Sequence, residues 1–441
     1  VRHGNVFPAG LAFEFNLPVI KFKLRFVLTL ASFLSCLIQA ESITTKGPFD
    51  VRAFGATGDG TTKDTVAFQK ALDACKTAGG GTVSVPGGLY LIGSLALGSN
   101  TTLDLAPRAS LIGSPDVADY PLVRVRWEGE FAQGHRALIS AVKAEHVTIT
   151  GRGSIFGPPA NLSRLRNPRG PALIELAECD DVTLEGFSTQ YQQLWSIHPV
   201  LCRKFVARDL TIRSIGGNGD GIDVDSCSDV LIEHCRIDTG DDAISLKSGR
   251  GLAAARLERP TRDVVIRDCS LASSIFAALG VGSELSGGIR NVRLENCTIS
   301  GRQNALLFKS RDGRGGEIDN FTGENLLVLD SPTFLAISLV NKGIQASDPV
   351  PGESEKWTRV HNLRFNHIEV RNVADLVLAQ NIPAARPVDG LSLANITGTC
   401  GRGLTLVNLT NVALGKIEVT GYSGAFLTQT NVQGTGLETK R

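Results

Sequence analysis

The sequence predicts an all-β chain wound into a single-stranded right-handed parallel β-helix, with an amphipathic helix capping its N-terminal end. Three observations carry this expectation. A short apolar frame recurs along most of the chain, its alternation is that of strands with one buried face, and glycine is abundant at 48 residues while aromatic residues are only 6%.

The frame reads apolar, any, apolar, then three residues on another apolar residue or cysteine. It is "VLIEHC" from Val230, "VVIRDC" from Val264 and "VRLENC" from Val292. Further copies open at Val147, Val182, Phe205, Phe321, Leu363, Leu391 and Val412, so first positions are spaced by 21 to 42 residues. Helical repeats need longer segments with a 3.6-residue period, which these copies lack. Stacked coils contributing short strands to parallel ladders about 4.8 Å apart fit the pattern economically.

The chain has nine cysteines. Cys235, Cys269 and Cys297 fill the slot held elsewhere by Leu210, Leu326, Ile368, Ile396 and Ile417, so they read as small buried hydrophobes. Cys179, Cys202 and Cys227 precede three successive copies by one offset and form a second candidate ladder. Disulfides stay open as an alternative, whereas a metal site lacks the paired C-x-x-C spacing.

Near the front, "TKDTVAFQKALDACKTAGGG" predicts the capping helix. Asp64 is placed to cap its first turn, Phe68, Leu72 and Cys75 share one face, and Gly79 to Gly81 end it. Upstream, Lys21, Lys23 and Arg25 precede an apolar run from Phe26 to Ile38, which reads as a secretory signal over residues 21–40. Residues 1–20 then form an upstream extension outside the fold, and residues 41–441 form the β-helix domain. This predicts a secreted or periplasmic protein with no membrane association after signal removal. Charge is balanced, with 45 Lys plus Arg against 44 Asp plus Glu. No global basic field therefore argues for nucleic acid, and an acidic partner must be met locally.

Two aspartate clusters stand out, "NGDGIDVDS" at 218–226 and "DTGDDAISLKSG" at 238–249. Asp220 and Asp241 lie 21 residues apart, which predicts nearly stacked positions on adjacent coils, with a short insertion such as "SIGG" absorbing their unequal offsets. Asp242 follows directly. Three crowded carboxylates repel one another and raise at least one pKa, giving a protonated acid beside ionised bases. Glycosidic cleavage needs that division, an acid for the leaving oxygen and a carboxylate to activate water. Two alternatives stay open from the residues alone: Asp and Gly simply turning corners, and a calcium site of clustered oxygens.

The stretch "NGDGIDVDSCSDVLIEHCRIDTGDDAISLKSGRG", with "LWSIHPV" before it and "GVGSELSGG" and "FKSRDGRGG" after it, resembles the polygalacturonase family, glycoside hydrolase family 28. The resemblance runs from about "FDVRAFGATGDG" to residue 316. It implies a secreted right-handed β-helix that hydrolyses pectic polysaccharide with inversion and without a metal; a monomer acting on pectic polysaccharide or oligosaccharide without a cofactor is expected. It further implies Asp241 as general acid and Asp220 and Asp242 as the pair that activates water, with Asn218 in the family's Asn-x-Asp motif.

Two departures stand beside it. The family's Gly-His-Gly falls on Ile275, Phe276 and Ala277, and its Arg-x-Lys falls on Leu307, Phe308 and Lys309. The histidine and arginine are absent, while the lysine remains. That Arg and Lys hold a sugar carboxylate beside the scissile bond in the family, so their partial loss predicts a neutral or reoriented sugar in the leaving-group subsite, as in rhamnose-containing or decorated pectin. Lys247, Lys309 and Arg314 are candidate contacts for an acidic glycan, and Trp195 and His198 candidate contacts for a sugar ring. The competing readings are a calcium-dependent pectic lyase and a weakly active or inactive glycan-binding β-helix.

Overall fold

The computed structural model describes residues 48–192, 194–341 and 355–438. The leader expected at 21–40 and the extension at 1–20 lie outside the described residues. What is described is a right-handed parallel β-helix whose strands pair with those of the coils before and after.

The predicted frame is one edge of this solenoid. From Val147 through Val182, Phe205, Val230, Val264, Val292, Phe321 and Leu363 to Leu391, each first position pairs in register with the next. All are buried. A second column runs from Leu95 through Ile139, Ile174, Ile197, Ile222, Ile244, Leu279, Leu306 and Leu335 to Val377, Leu404 and Leu427. Stacked aliphatic columns of this kind form the core, because every coil presents its apolar side to the axis.

The corners explain why the frame begins where it does. The residue before each first position has positive φ, as at Asp181, Lys204, Asp229, Asp263, Asn291, Asn320 and Asn362. Asn and Asp tolerate that region best and also bond up the stack. Asn291 donates to Asp263 at 2.9 Å, and Asn320 to Asn291 at 2.9 Å. At the next corner the cysteine slot is filled as expected: all eight described cysteines are buried free thiols, so no disulfide forms among the described residues.

The capping helix α1 spans Thr65–Thr77 and buries Phe68, Ala71, Leu72 and Cys75 over the first coils. Asp64 does not cap it. Its carboxylate instead accepts from the Thr57 amide at 2.7 Å and the Gly58 amide at 3.1 Å, tying down the preceding turn. One antiparallel hairpin, Leu122–Trp127 with Glu130–His135, leaves the coil path, and so does the segment around the short helix Ala160–Ser163. Both excursions lie against the wall that carries the aspartates.

Candidate active site

That wall is made of successive strands Ile197–Val200, Ile222–Asp225, Ile244–Lys247, Ala277–Val281 and Asn304–Arg311. Arg213 pairs with Asp238, and Ile222 with Ile244. Eight residues separate the first pair from the second on one coil and five on the other, so the predicted insertion is real and three residues long. The extra residues make a turn in which Gly219 donates to Gly216 at 3.1 Å.

The register changes one expectation. Gly221 donates to the Asp242 carbonyl at 3.0 Å, immediately before the Ile222–Ile244 pair. Asp220 therefore stacks on Asp242, and Asp241 sits one step earlier, opposite Gly219. The correction keeps the three together: one carboxylate oxygen of each lies within 4.8 Å of those of the other two.

Each has distinct support. Asp241 accepts from the Asn218 amide at 2.8 Å and from the Asp242 amide at 2.9 Å. Asp242 accepts from Lys309 Nζ at 2.8 Å and from the Ala277 amide at 3.2 Å. Asp220 is buried, and its Oδ1 has no hydrogen-bond partner among the described residues. Burial, with Asp223 and Asp241 nearby, pushes Asp220 well above the usual carboxylate range. Burial and Asp242 also raise Asp241, against the pull of its two amide donors.

Beneath them lies a charged layer of which the sequence singles out the lysines but not Asp223 or Glu284. Asp223 is fully buried and pairs with Lys247 Nζ at 3.2 Å; burial lifts it to about 7 despite the lysine. Lys247 also faces Glu284 at 3.7 Å. Burial works against its charge, but Glu284, Asp223 and Asp220 outweigh it and hold its pKa well above the ordinary lysine value. For Lys309 burial opposes the charge too, and Asp242 overcomes it.

The candidate contacts separate. Asn218, Lys247 and Lys309 line the aspartate cleft, which has a volume of about 810 Å³. Trp195 also borders it, but its ring is taken up by Trp127 at 4.6 Å, His198 at 4.7 Å and Lys247 Nζ at 5.0 Å. His198 does not reach the cleft. It is fully buried, bonded to Glu175 at 3.2 Å, and Glu175 is also held by Arg169 at 2.7 Å. Arg314 is likewise buried rather than on the rim, its carbonyl accepting from Ser286 at 2.6 Å. The Trp195 ring covers His198, and the hairpin's Trp127 packs on Trp195 in turn.

Phe276 and Leu307 both line the cleft. Lys309 Nζ is 5.9 Å from the centre of the Phe276 ring, and Leu307 pairs in register with Gly280. Around them the lining combines the neutral polar residues Gln303, Asn304, Ser338 and Asn341 with the charged Lys309 and Arg311. Arg166, from the segment after Ala160–Ser163, reaches in to donate to Asn218 Oδ1 at 2.7 Å. No periodic signal marks that segment, so Arg166 could be found only in three dimensions.

Three interacting carboxylates confined in one cleft of a β-helix wall are an arrangement suited to glycosidic cleavage. The model of glycosyl hydrolases family 28 matches residues 75–338. The chain belongs to that family. It is 28% identical over 361 residues to a probable polygalacturonase of Vitis vinifera, covering 78% of this chain and 72% of the relative. Among solved structures, an exopolygalacturonase of Thermotoga maritima superposes with TM-score 0.68 at 24% identity, over 88% of this chain and 92% of that one. A family 28 exopolygalacturonase of Yersinia enterocolitica gives 0.78 at 22% identity, over 88% and 78%.

Proposed function

We propose that the protein is an exported glycosidase that hydrolyses pectic polysaccharide or its oligosaccharides with inversion, through Asp241 as acid and Asp220 with Asp242 as the pair that activates water. The observation that carries this reading is the mutual closeness of the three carboxylates with unequal partners. Asp241, raised by burial and Asp242, keeps its proton to higher pH than an ordinary aspartate and gives it to the glycosidic oxygen. The bond from the anomeric carbon to that oxygen breaks. A water held between Asp220, whose burial favours its protonated form, and Asp242 adds to the anomeric carbon and surrenders its proton to Asp242, the carboxylate paired with Lys309 at 2.8 Å.

The nearest oxygens lie within 4.8 Å, closer than the roughly 6.5–9.5 Å between the carboxyl groups of most inverting glycosidases. The water accordingly sits in the Asp220–Asp242 clasp rather than between two opposed acids. On an α-linked galacturonan this route gives the β anomer first.

Phe276, Leu307 and the amide-rich lining support a neutral or decorated sugar in the leaving-group subsite. Lys309 is committed to Asp242, and no guanidinium stands at position 307 to fork onto a sugar carboxylate. A lyase is disfavoured because its base must shed a proton, whereas Lys247 and Lys309 are both held charged by carboxylates. Export rests on the leader-like residues 21–40.

Incubation with a panel of pectic oligosaccharides, with and without calcium, tests the reading. Calcium-independent release of reducing sugar, fastest where the second sugar is neutral, is the expected result. A product with an unsaturated, ultraviolet-absorbing end would overturn hydrolysis.

A further inference from the structure

The cleft is not equally open at its two ends. Toward the C-terminal coils it runs past Leu307 and Lys309 to Ser338 and Asn341. Toward the N-terminal coils it meets a bar of side chains from the two excursions. Arg166 spans from the Trp127 ring, 5.8 Å away, to Asn218 at 2.7 Å, and Trp127 rests on Trp195 at 4.6 Å.

The bar is anchored. Arg126, at the base of the hairpin tip, is buried with its Nε 3.0 Å from Asp225. Glu130 pairs with Arg250, and Gly129 packs so close to the backbone of Gly249 and Arg250 that a side-chain carbon there would lie 2.8 Å from the Arg250 nitrogen. Gly134 bridges to Arg169, which is fully buried against Glu175. The hairpin and the Arg166 segment are thus tied to each other and to the coils beneath. Asn218, which accepts from Arg166, donates its backbone amide to Asp241 at 2.8 Å, so the bar stands directly beside the aspartates.

We propose that this bar closes the cleft into a pocket for one non-reducing terminal uronate, so that the enzyme works from chain ends and Arg166 binds the carboxylate of the terminal sugar. The inference rests on the hydrolytic reading above. With the leaving group on the Lys309 side, the sugar whose anomeric carbon is attacked occupies the closed side, and nothing can precede it in the chain. Arg166 suits the role because its side chain is exposed in the cleft and its contacts are an amide oxygen and a ring face rather than a carboxylate among the described residues. A guanidinium so placed offers a forked pair of donors to a planar anion. The charge recognition missing at position 307 is thereby supplied on the opposite side of the scissile bond.

The test follows hydrolysis of an oligogalacturonide labelled at its reducing end, by wild type and by Arg166→Ala, with circular dichroism confirming that the variant folds. A second substrate has its non-reducing terminal carboxyl reduced to the alcohol. Wild type is expected to release monomer from the outset and leave a labelled series shortened by one sugar at a time. Arg166→Ala is expected to lose about tenfold in kcat/KM on the charged terminus and less than about twofold on the reduced one. Early products of mixed length from wild type, or equal losses on both substrates, would overturn the proposal while leaving hydrolysis intact. No release of sugar from any pectic oligomer would overturn the parent reading and this one together.

Discussion

Lys309 Nζ lies 2.8 Å from Oδ2 of Asp242, so the lysine that could grip a sugar carboxylate is committed to the carboxylates themselves. Its field also lowers the pKa of Asp241, opposing the burial that raises it. Lys309→Met removes that field. The alkaline limb of the pH–rate profile, which marks loss of the Asp241 proton, is expected to move to higher pH, while kcat falls by about 10²-fold. An unmoved limb would show that Lys309 has no hold on the acid.

Gly280 stands where a side chain would overlap Asp242, with the added carbon 2.8 Å from Asp242 Cγ. The neighbouring strands put Ser245 and Leu307 in register on either side of it. Gly280→Ala therefore drives Asp242 out of its clasp with Asp220, and a loss of about 10²-fold or more in kcat is expected with the β-helix signature retained in circular dichroism. Wild-type turnover would mean that the placement of Asp242 is not critical.

Asp223 carries a pH signature in stability. Its folded pKa, about 7, exceeds the ordinary aspartate value near 3.9 because it is buried. The folded state binds the extra proton, so this group's contribution is complete below about pH 4 and is lost as pH rises toward 7. Asp223→Asn is expected to flatten the fall in Tm between pH 4 and 7. An unchanged slope would place the titration elsewhere.

Phe276 and Leu307 test the subsite. The double substitution Phe276→His with Leu307→Arg places a cation back beside Lys309, and the ratio of kcat/KM for polygalacturonate over a neutral-subsite oligosaccharide is expected to rise by about tenfold or more. A ratio that stays put would mean that those two positions do not select the leaving sugar.

The fold was legible because its corners and its columns repeat: Val147 to Leu391 pair just as their common frame suggests, and a positive-φ residue, most often Asn or Asp, precedes each one. The aspartates were legible for the same reason, to within one residue. The reading aligned Asp220 with Asp241, while the hydrogen bond from Gly221 to Asp242 sets the register one further. His198 was misplaced because its strand does not announce that Trp195, itself covered by the hairpin's Trp127, lies over it, and Arg314 because a charged side chain does not report its own burial. Arg166, Asp223, Glu284 and Gly280 went unread. The role of Arg166 depends on which excursion folds over which coil, and those of Asp223, Glu284 and Gly280 on side-chain contacts between neighbouring coils, neither of which the period of the apolar frame records.

The proposed hydrolysis depends on Asp241 delivering a proton in a patch it shares with Asp220 and Asp242. Turnover of a pectic oligosaccharide by Asp241→Asn, measured beside wild type at matched thermal stability, tests this most directly. A fall in kcat of about 10³-fold or more is the outcome that fits, since the amide has no proton to give. Turnover within a fewfold of wild type would contradict it.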